Sequence, residues 1–295
     1  MTQLLQQLVD GLGRGSEYAL IALGIAVIFG VMHLVNFAHG ETITVAAYVA
    51  YWMSTMDLAW WAFVPAIIAS AAATSVVIEF VAFRRVRGAS DSTMLLTSFG
   101  VVFVVQAIFT MFVSPNVKSF NRPDWITKTV SLGGIRFEVF DLATLGVTAV
   151  TLLIVVAVLQ RTMFGLSLRA AAEDFDAARL MGIRSDRVIR GAFLLAGLLA
   201  GIAAVFVLMR TGRAAPSAGL TPMLKGVLAA LIGGLGSLGG AVLGGFALGL
   251  VEVLLISRLP DGWAGLTNGI VFGLIALLFV FRPGGIINVG TAERV

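Results

Sequence analysis

The sequence has no cysteine, only two histidines, and charged residues make up just 12% of it. Without cysteine there is neither a disulfide framework nor a thiolate metal site. His33 and His39 cannot by themselves supply the ligand set of a typical zinc centre, so no metal site is expected. A G-x-x-x-x-G-K-[ST] phosphate loop is missing, as are an HExxH helix and a nucleophile elbow. No catalytic residues are therefore expected, and no cofactor is expected in this chain. The first fifteen residues lack a basic n-region and an early cleavage site, so they are read as mature chain rather than as a removable signal.

What the sequence has instead is apolar residues: 59% are hydrophobic and the mean hydropathy is +0.99. A soluble domain carries about twice this share of charge. The apolar residues fall in blocks long enough for membrane spans, which need about 20 residues each. Lipid offers the backbone no hydrogen-bond partner, so the spans must be helices or a closed barrel. A barrel would alternate apolar and polar residues over roughly 10-residue segments. The blocks 142–159 and 191–209 are apolar on every face, which favours helices. The expected fold is all-α, a single polytopic transmembrane helical bundle over residues 1–295.

The blocks lie near 18–34, 42–60, 62–83, 93–113, 140–159, 191–209, 222–256 and 265–281. The block 222–256 is too long for one span and too rich in glycine to be one straight helix. Crossing twice through a break near Gly233–Gly240 gives about nine spans; a re-entrant path gives eight. Loops 84–90 and 160–190 hold most of the arginines and lie on one side, which the positive-inside rule makes the cytoplasm. The basic balance, +4 overall, thus reads as topology rather than as a nucleic-acid footprint. Segment 114–138 lies on the outer side. Within it, the alternation around Gly133-Gly134 fits a short β-hairpin and equally an irregular loop.

Three constellations stand out. In the inner loop, Arg169–Met181 is rich in alanine and charge, which favours a short helix with Gly182 as its left-handed cap and Ser185 capping the next helix. Arg169, Glu173, Asp174, Ala178, Met181 and Gly182 mark it as a docking element or, equally, a solvated connector. Second, Asn36, His39, Gly40 and Glu41 crowd polar groups and glycine between two apolar blocks. Polar groups at membrane depth generally face a cavity or a partner, and glycine-broken helices line binding sites in many transporters; a tight interfacial turn is the plainer alternative. Third, Gly233, Gly234, Gly236 and Ser237 form either a close-packing seam or a helix break on the pathway. Two carboxylates stand alone in apolar runs, Glu79 with Arg84 nearby and Glu252 with Arg258 as a candidate partner.

The segments NFAHGE, LRAAAEDFDAARLMGI and GLTPMLKGVLAALIGGLGSLGGAVLGG, with the terminal FRPGGIIN, resemble the permease family of branched-chain amino acid ABC importers. The likeness is greatest to its shorter, H-type (LivH-like) subunit and covers nearly the whole chain. The resemblance implies a multi-pass permease of the bacterial inner membrane, paired with a second homologous permease. Two cytoplasmic ATPase subunits would hold ATP-Mg, and an extracytoplasmic binding protein would deliver the amino acid. It also implies that Arg169–Gly182 is the helix coupling the permease to ATP hydrolysis. Two alternatives remain open: a permease for urea or short amides on the same scaffold, and an ion-coupled secondary transporter. A purely structural membrane protein is a third.

Overall fold

The computed structural model describes residues 2–56, 58–132, 135–260 and 266–281. Its helices are α1 (Thr2–Met32), α2 (His39–Thr55), α3 (Trp60–Ile78), α4 (Arg84–Val86), α5 (Asp91–Phe112), α6 (Val139–Arg161), α7 (Met163–Glu173), α8 (Phe175–Leu180), α9 (Ser185–Thr211), α10 (Leu220–Gly233), α11 (Leu238–Ile256) and α12 (Thr267–Phe281). Four short strands accompany them: β1 (Lys118–Ser119), β2 (Thr129–Leu132), β3 (Ile135–Glu138) and β4 (Arg213–Ala214). The fold is the all-α bundle expected. Among the described residues six helices are long and apolar enough to cross a bilayer: α1, α3 with its extension, α5, α6, α9 and α11. At 1.5 Å per residue α10 is only ~21 Å long, short of the ~30 Å hydrocarbon core.

The bundle is organised around α1. Of its apolar window 83% is buried, against 17% for α5, so α1 is the central post and α5 lies at the periphery. Close approach is set by small residues. A methyl added at Gly15 would lie 2.8 Å from Phe246 Cα, and one at Gly249 would collide with the backbone of Gly15. Gly11, Gly15 and Ala19 on α1 thus meet Gly245 and Gly249 on α11 at four-residue spacing. This is the small-residue packing by which helices associate in lipid. The α3–α9 pair is built likewise, with Gly197 against Ala72 and Ser75, and the Ser75 hydroxyl donating to the Phe193 carbonyl at 2.6 Å.

Several local expectations were met and others need correction. The hairpin forms, with Thr129 opposite Glu138 and Leu132 opposite Ile135, while its tip, Gly133-Gly134, lies outside the described residues. Most of the FRPGGIIN ending also lies outside them. β1 pairs with β4, so the outer segment is tied to the loop after α9. The inner loop holds two helices rather than one. Asp174 breaks it, because its carboxylate accepts from the amides of Asp176 and Ala177, both at 3.0 Å, and caps α8. Gly182 takes the left-handed conformation at φ 85°, as expected. Ser185 does not cap α9; the cap position is Arg184, which makes no side-chain cap bond.

Candidate functional site

α1 ends at Met32, and the chain turns back through residues 33–38 before α2 begins at His39. The turn is held locally. Asn36 accepts from the Ala38 amide at 3.0 Å, and its carbonyl accepts from the His39 amide at 3.2 Å. Asn36 is therefore a turn-former with a buried side chain. The next three residues enter α2 and point inward: His39, Gly40 and Glu41 are all buried. A methyl at Gly24 of α1 would stand 3.0 Å from His39 Nε2, which places the imidazole in the notch that Gly24 leaves between α1 and α9. Neither ring nitrogen has a hydrogen-bond partner. Glu41 reaches the other way and accepts from Gln106 of α5 at 3.0 Å.

Gly40 also meets the start of α10. A methyl there would lie 2.7 Å from Met223 Cβ, and one at Gly219 would collide with the Gly40 carbonyl. The Gly219 amide donates to Thr44 Oγ1 at 3.1 Å. Two helix N-termini, those of α2 and α10, thus abut inside the bundle beside an unbonded histidine. Each N-terminus carries the partial positive charge of its helix dipole, although the first amides of α2, those of His39, Gly40 and Glu41, already donate to the carbonyls of residues 36–38.

The glycine-rich block divides these roles. α10 stops at Gly233, Gly234 adopts φ 90°, and Ser237 starts α11 by accepting from the Gly240 amide at 3.0 Å. Gly233 and Gly240 press backbone to backbone, whereas a methyl at Gly236 meets nothing within 4 Å. The break and the packing seam are therefore both present, on different glycines. Gly233–Ser237 do not join Asn36–Glu41 in one cluster; they lie at the opposite end of α10.

The isolated carboxylates have partners other than those expected. Glu252 does not pair with Arg258. Lys225 of α10 donates to both its oxygens, at 2.8 and 2.9 Å, Tyr18 donates at 2.7 Å, and Arg14 stands at 3.2 Å. Arg258 follows the end of α11, past the turn that points Glu252 inward. Glu79 sits in a π-helical turn (Glu79–Phe83) and pairs with Arg87, with Arg190 at 3.9 Å, rather than with Arg84. The wider turn swings Glu79 under the loop, and Arg84 instead reaches Asp186 at 3.4 Å. Arg87 bridges Glu79 and Asp186, the latter at 2.5 Å; burial lowers its pKa and Asp186 opposes that. At the other end Arg210 joins Glu17 and Asp141, each at 2.8 Å. Beside them burial raises the pKa of Glu138, with Asp141 adding to the effect.

Sequence reasoning missed Lys225, Arg210 and Gln106. Lys225 left a usable signal: one buried cation and one buried anion in the same apolar block, on either side of a glycine break. The residues of the inner loop separate as well. Glu173, Asp174, Ala178, Met181 and Gly182 gather around α8, where Ala178 is buried and Leu180 and Met181 are exposed. Arg169 is on α7 and faces a crevice between α6 and α11.

With this geometry in place the comparisons decide the family. The profile of the branched-chain amino acid transport system / permease component matches residues 7–282. The chain belongs to this family. It is 32% identical over 99% of its length to the high-affinity branched-chain amino acid transport system permease protein BraD of Pseudomonas aeruginosa, covering 98% of that protein. It is 31% identical over 99% of its length to the corresponding permease protein LivH of Escherichia coli, covering 97% of it. Among solved structures, PsaBC from Streptococcus pneumoniae in complex with Fab aligns with a TM-score of 0.51, covering 93% of this chain and 91% of that one. At 12% identity that likeness is one of fold alone. The chain is a polytopic membrane permease-family protein, and the family carries no catalytic domain of its own.

Proposed function

We propose that the chain is the membrane-spanning permease subunit of an ABC importer that carries branched-chain or related amino acids across the bacterial inner membrane. The observation that carries this reading is the abutment of two helix N-termini at Gly40 and Gly219, beside His39 with both ring nitrogens unbonded. Polar groups left unsatisfied inside a bundle are costly, and the positive ends of two helix dipoles suit a passing carboxylate. In this reading α2, α10 and α12 join the six long helices to give about nine passes. Met32 lies at the basic-loop end, beside Arg87 and Asp186, so in this reading α1 starts outside and α12 ends inside.

Energy comes in trans. Two ATPase subunits hold ATP-Mg, and α8 docks on one of them through its exposed Leu180 and Met181. A second permease completes the pathway. The outer hairpin and the β1–β4 junction receive the extracytoplasmic binding protein, which contributes much of the selectivity.

An ion-coupled carrier needs ionisable groups free to bind its ion. Here Lys225–Glu252, Arg210–Glu17–Asp141 and Arg87–Glu79 are ion-paired. That leaves Glu41 and His39 as the buried carboxylate and imidazole outside these pairs among the described residues, and it is the family match that favours the ATP-driven reading. The test is uptake of labelled leucine into proteoliposomes that contain the permease pair, the ATPases and the binding protein. Saturable, ATP-dependent uptake is expected, weakened by His39→Leu. Uptake driven by an ion gradient without ATP would overturn the proposal, and preference for urea or an amide would move the substrate.

A further inference from the structure

A crevice of about 550 Å³ opens between α6 and α11 at the basic-loop end, within the range of small-molecule pockets. Its floor is Leu23 of α1, and its walls are aliphatic, with Val155, Val156 and Leu159 facing Val242 and Leu243. Among the described residues that line it, the polar side chains are Gln160 and Arg169, at its mouth. From Leu152 to Gln160 it runs ~12 Å along α6, most of the ~15 Å depth of one leaflet's hydrocarbon. The chain presents no aqueous ligand with a surface to match such walls. A hydrocarbon chain matches them throughout.

The mouth says which lipid. Arg169 is exposed and has neither an ion pair nor a hydrogen bond among the described residues. A methyl at Gly239, in the first turn of α11, meets nothing within 4 Å, so the backbone there stays open to a headgroup. α7 has the stance of an interfacial helix: Leu168 and Ala171 are buried against the bundle while Met163 and Leu166 are exposed. Such a helix lies at headgroup level. Basic pockets between spans on this side of a membrane attract anionic headgroups.

We propose that this crevice binds one anionic phospholipid of the leaflet at the basic-loop end, its acyl chain between α6 and α11 and its phosphate on Arg169. Gln160 and the first turn of α11 complete the headgroup contact. Arg169 is then the lipid anchor of α7, distinct from the α8 residues that the importer reading assigns to ATPase docking. An occupied crevice would fix α6 to α11 at the end where α7 and α8 attach.

The test is native mass spectrometry of the full-length chain in mild detergent, with phosphatidylglycerol and phosphatidylethanolamine of identical acyl chains. One retained phosphatidylglycerol, preferred over phosphatidylethanolamine, is expected. Arg169→Gln is expected to cut that preference about five-fold, as one interfacial cation does. Leu243→Trp should displace both lipids by filling the crevice. Equal retention of the two lipids by the wild-type chain overturns the proposal, as does a preference that survives Arg169→Gln. Because the chain has no cysteine, Leu243→Cys reports cleanly on a competing occupant. Efficient Leu243→Cys cross-linking between copies in native membranes would show protein rather than lipid on this face and overturn the proposal.

Discussion

The Lys225 ammonium lies 2.8 Å from one Glu252 oxygen and 2.9 Å from the other, inside a bundle where both residues are buried. The pair joins α10 to α11 across the glycine break, and Tyr18 and Arg14 attach it to α1. Breaking such a pair leaves a buried charge without its partner. Lys225→Met is therefore expected to lower stability by about 3 kcal/mol, and Lys225→Met with Glu252→Leu to recover most of the loss. Thermal unfolding of the three proteins in detergent checks this. Equal stability of the single and double variants would show that the pair is not coupled.

The glycines of the break are not equivalent. Gly233→Ala drives a methyl into the Gly240 carbonyl, and Gly219→Ala does the same to that of Gly40. Both are expected to abolish membrane accumulation of folded protein. Gly236→Ala meets open space and should leave it unchanged. Size-exclusion profiles of tagged variants separate these outcomes.

Asp174 acts on α8 as a cap. Asp174→Ala removes two amide contacts and should cost about 1 kcal/mol of local helix stability. Asp174→Asn keeps a good cap and removes the charge. Hydrogen exchange over 175–180 should rise for the alanine variant and not for asparagine. Faster exchange in both would mean that charge, not capping, holds the helix.

Arg87 and Arg84 both reach Asp186, but only Arg87 pairs with buried Glu79. Exposed ion pairs contribute little, whereas orphaning a buried carboxylate is expensive. Arg87→Met is expected to lower the unfolding midpoint several times more than Arg84→Met. The reverse order, measured side by side, would place the load on Asp186.

Much of this was legible because lipid narrows the choices. Blocks such as 93–113 and 140–159 had to be helices, and α5 and α6 follow them within a few residues. The glycine-rich break and the Gly182 turn were readable because their conformations exclude most side chains. The partners of Glu252 and Glu79 were not readable. Sequence proximity favoured Arg258 and Arg84, while the true partners depend on which way α10 and the π-turn face. The split of the inner loop turned on Asp174 preferring a cap to a helix interior. Nor could sequence place Gly40 against Gly219, a contact between segments some 180 positions apart that only tertiary packing creates.

The bare backbone seam between Gly15 and Gly249 restricts how this molecule can change shape. With backbone pressed to backbone, α1 and α11 leave no gap in which side chains could re-pack, and parting them would open a void along the seam. The two helices must swing as a single spar. Whatever opens and shuts the route has to flex at the joints on either side of that spar, the turn at 33–38 and the bend at 234–237.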